Sequence, residues 1–336
     1  MDRLSDYDYN LPDELIAQTP LLQREESRLL WLQKSGEVHH RQFRDVLDLL
    51  HPGDLLVMND TRVSAVRLNG FKGTGAAIEA LLLSEVSPHL FEALVKPGKR
   101  MKPGAVADFG NGLEATVRAD LDDGLKLLEF EPLENLNEKL QEVGQIPLPP
   151  YIHAVLNDSE RYQTVYGRAN GSAAAPTAGL HFTPAILEAL ISKGVEIGNV
   201  TLHVGLDTFR PVQSENLNEH RMHGETCILP PETEEKIHRA TGRIIAVGTT
   251  TVRTLESFAI GRRRVQSGIM ESRLFIRPGF EFRVIDGMFT NFHLPKTTML
   301  MMISALAGKD NIFSAYNQAV ENQYRFLSFG DSMLIL

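Results

Sequence analysis

Histidines are concentrated in the second half of this chain, where their side chains could carry acid–base chemistry. Six of the 11 His lie between positions 181 and 293. They are His181, His203, His220, His223, His238 and His293. Imidazole is the side chain whose ordinary pKa lies nearest to neutrality, so the concentration indicates proton transfer, metal binding or a polar substrate site.

The stretch GSAAAPTAGLHFT, residues 171–183, consists mostly of side chains too small to fill a core and carries no acidic or basic group besides one His. Glycine and alanine let a ligand or another backbone approach closely. Thr183 is placed as the N-cap of a following helix, and His181 comes two residues earlier, where free N–H groups could bind an anion. We interpret the stretch as part of a ligand site. The alternative is a tight loop with a capped helix and a surface His.

A second segment, GTTTVRTLES at 248–257, places three Thr hydroxyls before a helix that carries Arg253. Hydroxyl donors, a helix N-terminus and a guanidinium together could hold a carboxylate or a phosphate. The segment lacks the spacing of a P-loop. The alternative is simple N-capping of the helix by Thr249 or Thr250.

A metal site must also be weighed. His220 and His223 have i, i+3 spacing, which on a helix would bring both rings to one side, with His203 or Glu225 as a third ligand. However, the His-Glu-x-x-His motif is absent, and Cys227 is the only cysteine. Substrate binding or proton transfer by the same side chains is the competing interpretation, and the sequence favours it.

Further polar clusters follow strand-like segments. One comes after the apolar run 54–60, and another lies at a strand-to-helix junction near 290–298. Their candidate residues are Asn59, Asp60, Arg62, Asn291, His293 and Lys296. In α/β sheets ligands bind beyond the carboxyl ends of the strands, so we expect these clusters to share one cleft. Taken singly, each cluster could be an ordinary polar loop.

The distribution of elements predicts an α/β fold. After about residue 150, strand-like runs alternate with helical segments such as 183–194 and 231–242, which favours a largely parallel or mixed sheet covered by helices. Between 63 and 147, six short strand-like runs separated by turn residues predict a small β-barrel or sandwich, of which we expect the barrel. We therefore expect a larger discontinuous α/β domain, residues 1–62 and 148–336, with an inserted β-barrel domain at 63–147.

Composition narrows the class of protein. With 336 residues, 43% hydrophobic and 23% charged, the chain resembles an ordinary globular protein, and no apolar run approaches the roughly 20 residues of a membrane span. The polar start MDRLSDYDYN is unlike a signal peptide, so we expect a cytoplasmic protein. The net charge of -9 argues weakly against nucleic-acid binding, but the loop KPGKRMKPG at 96–104 is locally basic. That loop could equally be a solvated surface loop.

Several long segments together resemble one known family. They include MNDTRV, EALVKPGKR, GSAAAPTAGLHFT, TLHVGLDTFRPV, EHRMHGE, IAVGTTTVRTLES, TNFHLPKTT and YRFLSFGDSML. From the first residues to the last, the chain is similar to the S-adenosylmethionine:tRNA ribosyltransferase-isomerases of queuosine biosynthesis. Two positions depart from the family pattern, Asp207 where the family has Gly and Gly224 where it has Ser.

The resemblance implies an α/β domain with a β-barrel insert, in a monomeric or weakly associated enzyme. It implies transfer and isomerisation of the ribosyl part of S-adenosylmethionine onto 7-aminomethyl-7-deazaguanine (preQ1) at the tRNA wobble position. The products would be epoxyqueuosine-tRNA, adenine and methionine. S-adenosylmethionine would be a co-substrate, tRNA the macromolecular partner, and no cofactor, metal or membrane would be required.

On this resemblance we assign hypothetical roles to residues of this chain. The catalytic candidates are His181 or His203 as the base, and His223 with Glu225 as an acid pair. The candidates for binding S-adenosylmethionine or the deazaguanine are Asp60, Thr177, Gly179, Thr249, Thr250, Arg253, Asn291, His293 and Lys296. The candidates for tRNA contacts are Arg62, Lys96, Lys99 and Arg100.

Two other classes of function remain open from the residues alone. A metal-dependent hydrolase would use His203, His220, His223 and Glu225 as ligands. A non-catalytic RNA-binding protein would use the β-rich insert as its platform, although so many ionisable groups in loops have little use in binding alone.

Overall fold

The computed structural model describes residues 3–205 and 214–336. The strands of the described chain are β1 Arg28–Leu32, β2 Val38–Gln42, β3 Leu55–Asn59, β4 Thr61–Val63, β5 Val66–Lys72, β6 Ala77–Ser87, β7 Leu90–Lys96, β8 Val106–Asp108, β9 Glu114–Asp120, β10 Leu125–Phe130, β11 Ala169–Ser172, β12 Glu196–Leu202, β13 Glu225–Leu229, β14 Ile244–Val247, β15 Ala259–Gly261, β16 Arg264–Val265, β17 Gly268–Ser272, β18 Gly287–Asn291 and β19 Ser332–Ile335.

Seven α-helices and several 3-10 turns connect the strands of the described chain. The α-helices are α1 Val46–Leu49, α2 Leu136–Val143, α3 Pro184–Ser192, α4 Pro231–Arg239, α5 Thr249–Ser257, α6 Thr298–Ala307 and α7 Lys309–Glu321. The 3-10 turns are Leu4–Tyr7, Asp13–Leu15, Arg24–Glu26, Phe43–Asp45, Gly98–Arg100, Asp122–Gly124, Ser159–Tyr162 and Thr177–His181.

The larger sheet has nine strands in the order β17-β13-β12-β3-β14-β18-β19-β1-β2. Its centre is parallel: β12, β3, β14 and β18 all run in one direction. β13 pairs antiparallel with β12, and β19 pairs antiparallel with β18. The sequence-based prediction of an α/β fold with a mixed sheet is therefore confirmed.

The sequence of the central strand explains why it lies in the middle of the sheet. Every residue of β3 is buried, and the strand is flanked on both sides by parallel neighbours. Leu56 and Met58 pack into a core cluster with Phe182 and Phe289, while Leu55 and Val57 alternate toward the opposite face. A continuous apolar run of this kind is what a strand covered on both faces requires.

This topology brings polar side chains to one edge of the sheet. The carboxyl ends of β3, β12, β14 and β18 lie at the same edge because these strands are parallel neighbours. β13 is antiparallel to β12, so its first residue, Glu225, lies at that edge as well. The clusters that follow β3, β14 and β18 therefore lie along one edge of the sheet, and that they share one cleft stays a prediction.

Local signals place the helices that follow these strands. Thr183 caps α3, its Oγ1 accepting from the backbone N–H of Ile186 at 3.3 Å, with Pro184 in the first turn as predicted. The helix α5 begins directly at Thr249 after Gly248, whose φ of +88° few other residues adopt. The three Thr of this segment therefore form the first turn of α5, rather than preceding it, and neither Thr249 nor Thr250 is its N-cap.

The β-rich part of the chain forms a closed barrel in the order β10-β7-β6-β5-β8-β9. Inward and outward residues alternate along its strands; in β7, Phe91, Ala93 and Val95 face the core. Leu136 and Leu140 of α2 pack into the same core. The six strand-like runs and the barrel predicted from the sequence are confirmed.

By packing density the chain divides into two compact units. The larger comprises Met1–Thr61, Pro150–Ala169 and Ala175–Leu336, and the smaller comprises Arg62–Pro149 and Asn170–Ala174. The predicted domain limits, 1–62 with 148–336 and 63–147, stay a prediction about which pieces fold independently. No helix within the described residues is both long enough and apolar enough to span a membrane.

Candidate active site

Asn59, the last residue of β3, connects the ends of three neighbouring elements. Its Nδ2 donates to the carbonyl oxygen of Leu202 at 3.0 Å and to Oγ1 of Thr250 at 3.1 Å. Its Oδ1 accepts from the backbone N–H of Leu202 at 3.0 Å. This fully buried amide fixes the carboxyl end of β12 relative to the first turn of α5.

His203 comes immediately after β12, and within the described residues its ring is held at one nitrogen. Its Nδ1 lies 2.8 Å from Oγ1 of Thr61, and that hydroxyl can donate to the carbonyl oxygen of Ala169 at 3.4 Å. When it does so, Thr61 accepts from Nδ1–H, and the lone pair of His203 is on Nε2. Nε2 has no hydrogen-bond partner among the described residues. Burial lowers the pKa of the His203 imidazole, opposed in part by the nearby carboxylate of Asp60.

Asp60 is buried beside this histidine, with both oxygens engaged by the protein. Oδ1 accepts from Oγ1 of Thr201 at 2.6 Å, and Oδ2 accepts from Nε of Arg168 at 2.7 Å. The arrangement holds the carboxylate in place with one exposed cation, since the Arg168 side chain is 69% exposed.

A cavity of about 430 Å³ opens beside these strand ends. Of the residues proposed from the sequence, six line it: His220, His223, Glu225, Thr249, Thr250 and Arg253. Part of its wall is apolar and includes Met222, Leu274, Phe275, Ile276, Met299 and Met302. A cavity with one charged, hydrogen-bonding wall and one apolar wall is typical of small-molecule sites.

Glu225 and Arg253 form a buried ion pair in the wall of the cavity. Nη1 of Arg253 donates to Oε2 of Glu225, and Nη2 donates to the carbonyl oxygen of Ser272 at 3.2 Å. The other carboxylate oxygen, Oε1, accepts from the backbone N–H of Gly205 at 3.3 Å. Both side chains are less than 10% exposed. The strong partner of Glu225 is thus Arg253, which the sequence did not suggest.

His220 and His223 do not lie on a helix, so the predicted i, i+3 helical geometry is wrong. Residues 220–224 form irregular chain that leads into β13. The ring of His220 packs edge-on against Phe275, with 5.1 Å between centroids, and burial lowers the pKa of its imidazole. Within residues 3–205 and 214–336, no three His, Cys, Asp or Glu are grouped so that they could hold a metal ion.

His181 lies in a separate buried network. Its Nδ1 is 2.8 Å from Oγ of Ser27, and Nδ2 of Asn291 donates to its Nε2 at 3.2 Å. Its ring stacks on Phe43, with 5.1 Å between centroids. Burial, with the nearby guanidinium of Arg24, lowers the pKa of His181 to about 3. The imidazole is therefore neutral with both nitrogens occupied, which does not fit the predicted anion site.

Thr177 and Gly179 belong to the same network and not to the lining of the cavity that holds Glu225 and Arg253. Oγ1 of Thr177 donates to Oδ1 of Asn291 at 3.0 Å, which sets the orientation of the amide that reaches His181. A Cβ at Gly179 would stand 1.8 Å from the phenolic oxygen of Tyr166. The small residue is thus required for packing, whereas the sequence suggested room for a ligand.

His293 and Lys296 are also placed away from the lining of the cavity. Nε2 of His293 bonds to Oγ1 of Thr290 at 2.7 Å, and burial lowers its pKa to about 3. The carbonyl oxygen of His293 accepts from the hydroxyl of Tyr9. Nζ of Lys296 pairs with Asp8 at 2.7 Å in a partly exposed position. Of the junction 290–298, it is Thr297 and Thr298 that line the cavity.

The residues proposed for tRNA contact lie in the smaller unit. Lys96 is 69% exposed and lies 3.9 Å from Glu79, and Lys99 and Arg100 are exposed on the turn that follows β7. Lys72, whose Nζ donates to the carbonyl oxygen of Arg100 at 3.0 Å, and the exposed Lys102 both line a surface depression of the barrel. The sequence identified the basic loop but not the contribution of Lys72.

Comparison with known proteins assigns nearly the whole chain to one family. Residues 4–335 match the family described as "Queuosine biosynthesis protein". The chain belongs to this queuosine biosynthesis family. It is 51% identical over 340 residues, 99% of this chain and all of the relative, to the S-adenosylmethionine:tRNA ribosyltransferase-isomerase of Desulforamulus reducens.

A solved structure is similar in fold as well. The crystal structure of S-adenosylmethionine tRNA ribosyltransferase from Thermotoga maritima is 38% identical, covers 98% of this chain and all of its own, and has a TM-score of 0.57. The resemblance stated from the sequence is confirmed by these comparisons.

Sequence reasoning missed several features of the cavity in this queuosine biosynthesis protein. The apolar wall comes from three separated segments, and neither Thr61 nor Asn59 had been given a positioning role. Of the two departures from the family pattern, Asp207 lies outside the described residues. At Gly224 a Cβ would stand 2.2 Å from Oε1 of Glu271, so a larger side chain would require the flexible Glu271 to move.

Proposed function

We propose that this protein transfers and isomerises the ribosyl group of S-adenosylmethionine onto preQ1 at the tRNA wobble position. The products are epoxyqueuosine-tRNA, adenine and methionine. The observation that carries the proposal is the 51% identity, over 99% of this chain, to a relative named for this activity. The cavity beside the sheet edge supports it, because its polar and apolar walls suit a nucleoside joined to an amino acid.

The reaction needs a base, a proton donor and an anchor. The sulfonium makes the hydrogens on C5′ acidic, and removal of one gives an ylide-like carbon. Attack on the aminomethyl-bearing base, cleavage of the bond to adenine and rearrangement of the sugar to an epoxide, in which an oxygen displaces methionine from C5′, then yield the three products. Overall, the positive charge of the sulfonium leaves as a proton. The base must be unprotonated when it takes a proton, and the proton donor must be protonated when adenine leaves.

His203 is the better of the two proposed bases. A base needs an accessible, unprotonated nitrogen, and His203 is half-buried with no partner for Nε2 among the described residues, although it is not itself part of the cavity lining. Its lowered pKa keeps the imidazole neutral near pH 7. His181 offers neither condition, because both of its nitrogens are occupied and its ring is enclosed. We assign His181 to positioning, through Asn291 and Ser27.

His223 is the proposed proton donor for the departing adenine. It lines the cavity and is exposed, so it can exchange protons with solvent. Glu225, first considered as its acid partner, is instead bound by Arg253 and is better suited to holding substrate. Asp60 and Thr250 orient the substrate beside His203, while His293 and Lys296 support the loop that leads to Thr297 and Thr298.

The barrel unit supplies the proposed tRNA contacts. Lys72, Lys96, Lys99, Arg100 and Lys102 crowd one turn and one depression of this unit, where phosphate groups would neutralise them. Arg62 lies at the start of the same unit. We further propose that the enzyme acts as a cytoplasmic monomer, with S-adenosylmethionine as co-substrate and no resident metal or cofactor.

The proposal is tested by incubating the purified protein with S-adenosylmethionine and tRNA that carries 7-aminomethyl-7-deazaguanine. We expect free adenine and methionine in equal amounts, and none with tRNA that carries guanine at the wobble position. Binding of tRNA without adenine release would indicate an RNA-binding protein instead. Activity that depended on added zinc would support a metal-dependent enzyme.

A further inference from the structure

We propose that Glu225, Arg253 and the first turn of α5 form a clamp for the amino-acid end of S-adenosylmethionine. The clamp would recognise an α-amino carboxylate, with the carboxylate on Arg253 and the helix terminus and the ammonium on Glu225. The inference rests on the proposed function, in which S-adenosylmethionine is a substrate. It goes beyond that function by naming which end of the molecule lies at the inner wall of the cavity.

The guanidinium of Arg253 has N–H donors that no described residue engages. It lies in the cavity wall with its side chain 9% exposed, and its Nη1 and Nη2 donate to Glu225 and to the Ser272 carbonyl. Its Nε is buried and has no partner among the described residues. Arginine carries five N–H donors, so this enclosed cation is only partly satisfied by the protein. A carboxylate in the cavity would complete its hydrogen bonding.

The N-terminus of α5 is directed at the same cavity. Thr249 and Thr250, its first two residues, line the cavity together with Arg253 one turn later. No side chain caps the helix, and the residue before it is Gly248. Nδ2 of Asn59 holds the hydroxyl of Thr250 in place. The free N–H groups and the positive end of the helix dipole therefore add to the guanidinium as an anion site.

The charge of Glu225 decides which anion fits. Its carboxylate touches Arg253, so the pair is neutral before any ligand binds. A phosphate would place up to two further negative charges beside this carboxylate and repel it. An α-amino carboxylate has no net charge, and its ammonium can approach Glu225 while its carboxylate approaches Arg253. A zwitterion therefore fits where a phosphate does not.

The remainder of the amino acid would meet the apolar wall. Phe275, Met299 and Met302 line the cavity, and thioether and aromatic side chains pack well against a sulfur-bearing chain. The clamp thus places the sulfur of the substrate in the apolar part of the cavity. The ribose would then extend toward the strand ends where His203 lies.

The direct test is binding to the wild-type protein without tRNA. Labelled S-adenosylmethionine is competed with decarboxylated S-adenosylmethionine, which lacks the carboxylate, and with its deaminated analogue, which lacks the ammonium. We expect each analogue to bind about 100-fold more weakly or worse, because a built polar site left unpaired discriminates strongly. Equal binding of either analogue would overturn the clamp, even if adenine were released with tRNA. Binding with full discrimination but no adenine release would overturn the proposed function and leave the clamp intact.

A variant pair separates recognition from structural support. Arg253→Lys keeps the charge but loses Nε and the planar fork. We expect this substitution to weaken the binding of S-adenosylmethionine at least about tenfold, and that of decarboxylated S-adenosylmethionine by less than about twofold. Arg273→Lys, in the exposed pair that Nε of Arg273 makes with Glu271 at 2.6 Å, is the matched control and should leave both unchanged. Equal weakening of both ligands by Arg253→Lys would contradict the clamp, and should this variant fail to fold, the wild-type competition decides.

Discussion

Thr61 Oγ1 lies 2.8 Å from Nδ1 of His203, the imidazole that directly follows β12 at the carboxyl edge of the larger sheet. His181 and His293 are enclosed, whereas His203 is only half-buried and keeps Nε2 without a partner among the described residues. Thr61 fixes Nδ1, and Nε2 remains available to accept a proton.

Replacement of the two candidate bases should therefore have different consequences. We expect His203→Ala to lower kcat about 10²–10⁴-fold with little loss of stability, as removal of a general base does. We expect His181→Ala to lower the free energy of unfolding by about 2–3 kcal/mol, since Ser27 and Asn291 lose a buried partner. Its kcat per folded molecule should fall less than about tenfold. Adenine release and urea denaturation measure the two effects, and the reverse pattern would make His181 the base.

Thr61 should act through the tautomer of His203. Thr61→Ser keeps the hydroxyl and should retain activity, whereas Thr61→Val should lower kcat about tenfold, with the KM for S-adenosylmethionine nearly unchanged. In the wild type the acid limb of kcat/KM should lie below pH 6.5, because burial lowers the pKa of His203 and a base works only when unprotonated. An acid limb above pH 6.5, or equal losses in both variants, would argue against this role.

The two enclosed histidines should make the protein acid-sensitive. The pKa of His181 and His293 is about 3 in the folded chain and about 6.5 when unfolded, so the unfolded chain takes up protons first as pH falls. The stabilisation is fully present above about pH 6.5 and is lost progressively toward pH 3. Between pH 7 and pH 5, each histidine should lower the free energy of unfolding by about 2 kcal/mol. This value is the product of about 1.5 pH units, from 6.5 down to 5, and about 1.4 kcal/mol per unit. Urea titrations at the two pH values measure the loss, and His293→Gln should reduce it.

Gly179 should tolerate no side chain. A Cβ there would stand 1.8 Å from the hydroxyl of Tyr166 and 2.9 Å from Cγ2 of Thr164. We expect Gly179→Ala to lower the free energy of unfolding by about 3 kcal/mol or more, and Tyr166→Phe in the same chain to recover part of it. Gly73→Ala is the control, since nothing lies within 4 Å of its Cβ position. A stable Gly179→Ala protein would mean that the stretch 171–183 is not packed in this way.

The basic loop of the barrel should bind tRNA through phosphates. We expect Lys99→Ala with Arg100→Ala to weaken tRNA binding about tenfold and to reduce the slope of log affinity against log salt by about one for each phosphate that is no longer neutralised. Lys72→Ala should act in the same direction. Lys34→Ala, at an exposed turn of the larger unit, is the matched control. An unchanged salt slope would place the tRNA elsewhere.

Much of the fold could be predicted because its signals are local. The six runs of the barrel alternate with period two, and the cap at Thr183 and the acidic start of α4 are each recognisable within a few residues. The edge strand β17 and its neighbour β13 were missed, because their pairing depends on partners more than 20 residues apart in the chain. Such partners leave no periodic trace in a single sequence.

For the candidate site, the sequence predicted the types of residue better than it predicted their arrangement. Arg253, Thr249 and Thr250 were found because a helix N-terminus beside a strand end is a local pattern. The partner of Arg253 could not be found, since Glu225 reaches it only through the antiparallel pairing of β13 with β12. His181 and His293 carry the right side chain in the right segments, yet both are buried and neither lines the cavity, and burial is a property of the whole fold.

The most direct test of the central claim follows the fate of the C5′ hydrogens of S-adenosylmethionine. With substrate that carries deuterium at both C5′ positions, the account predicts that the wild-type protein releases one deuterium to solvent for each adenine formed. His203→Gln should bind S-adenosylmethionine normally and release deuterium at least about 100-fold more slowly. Adenine formation with both deuteriums retained, or an unchanged rate in His203→Gln, would contradict it.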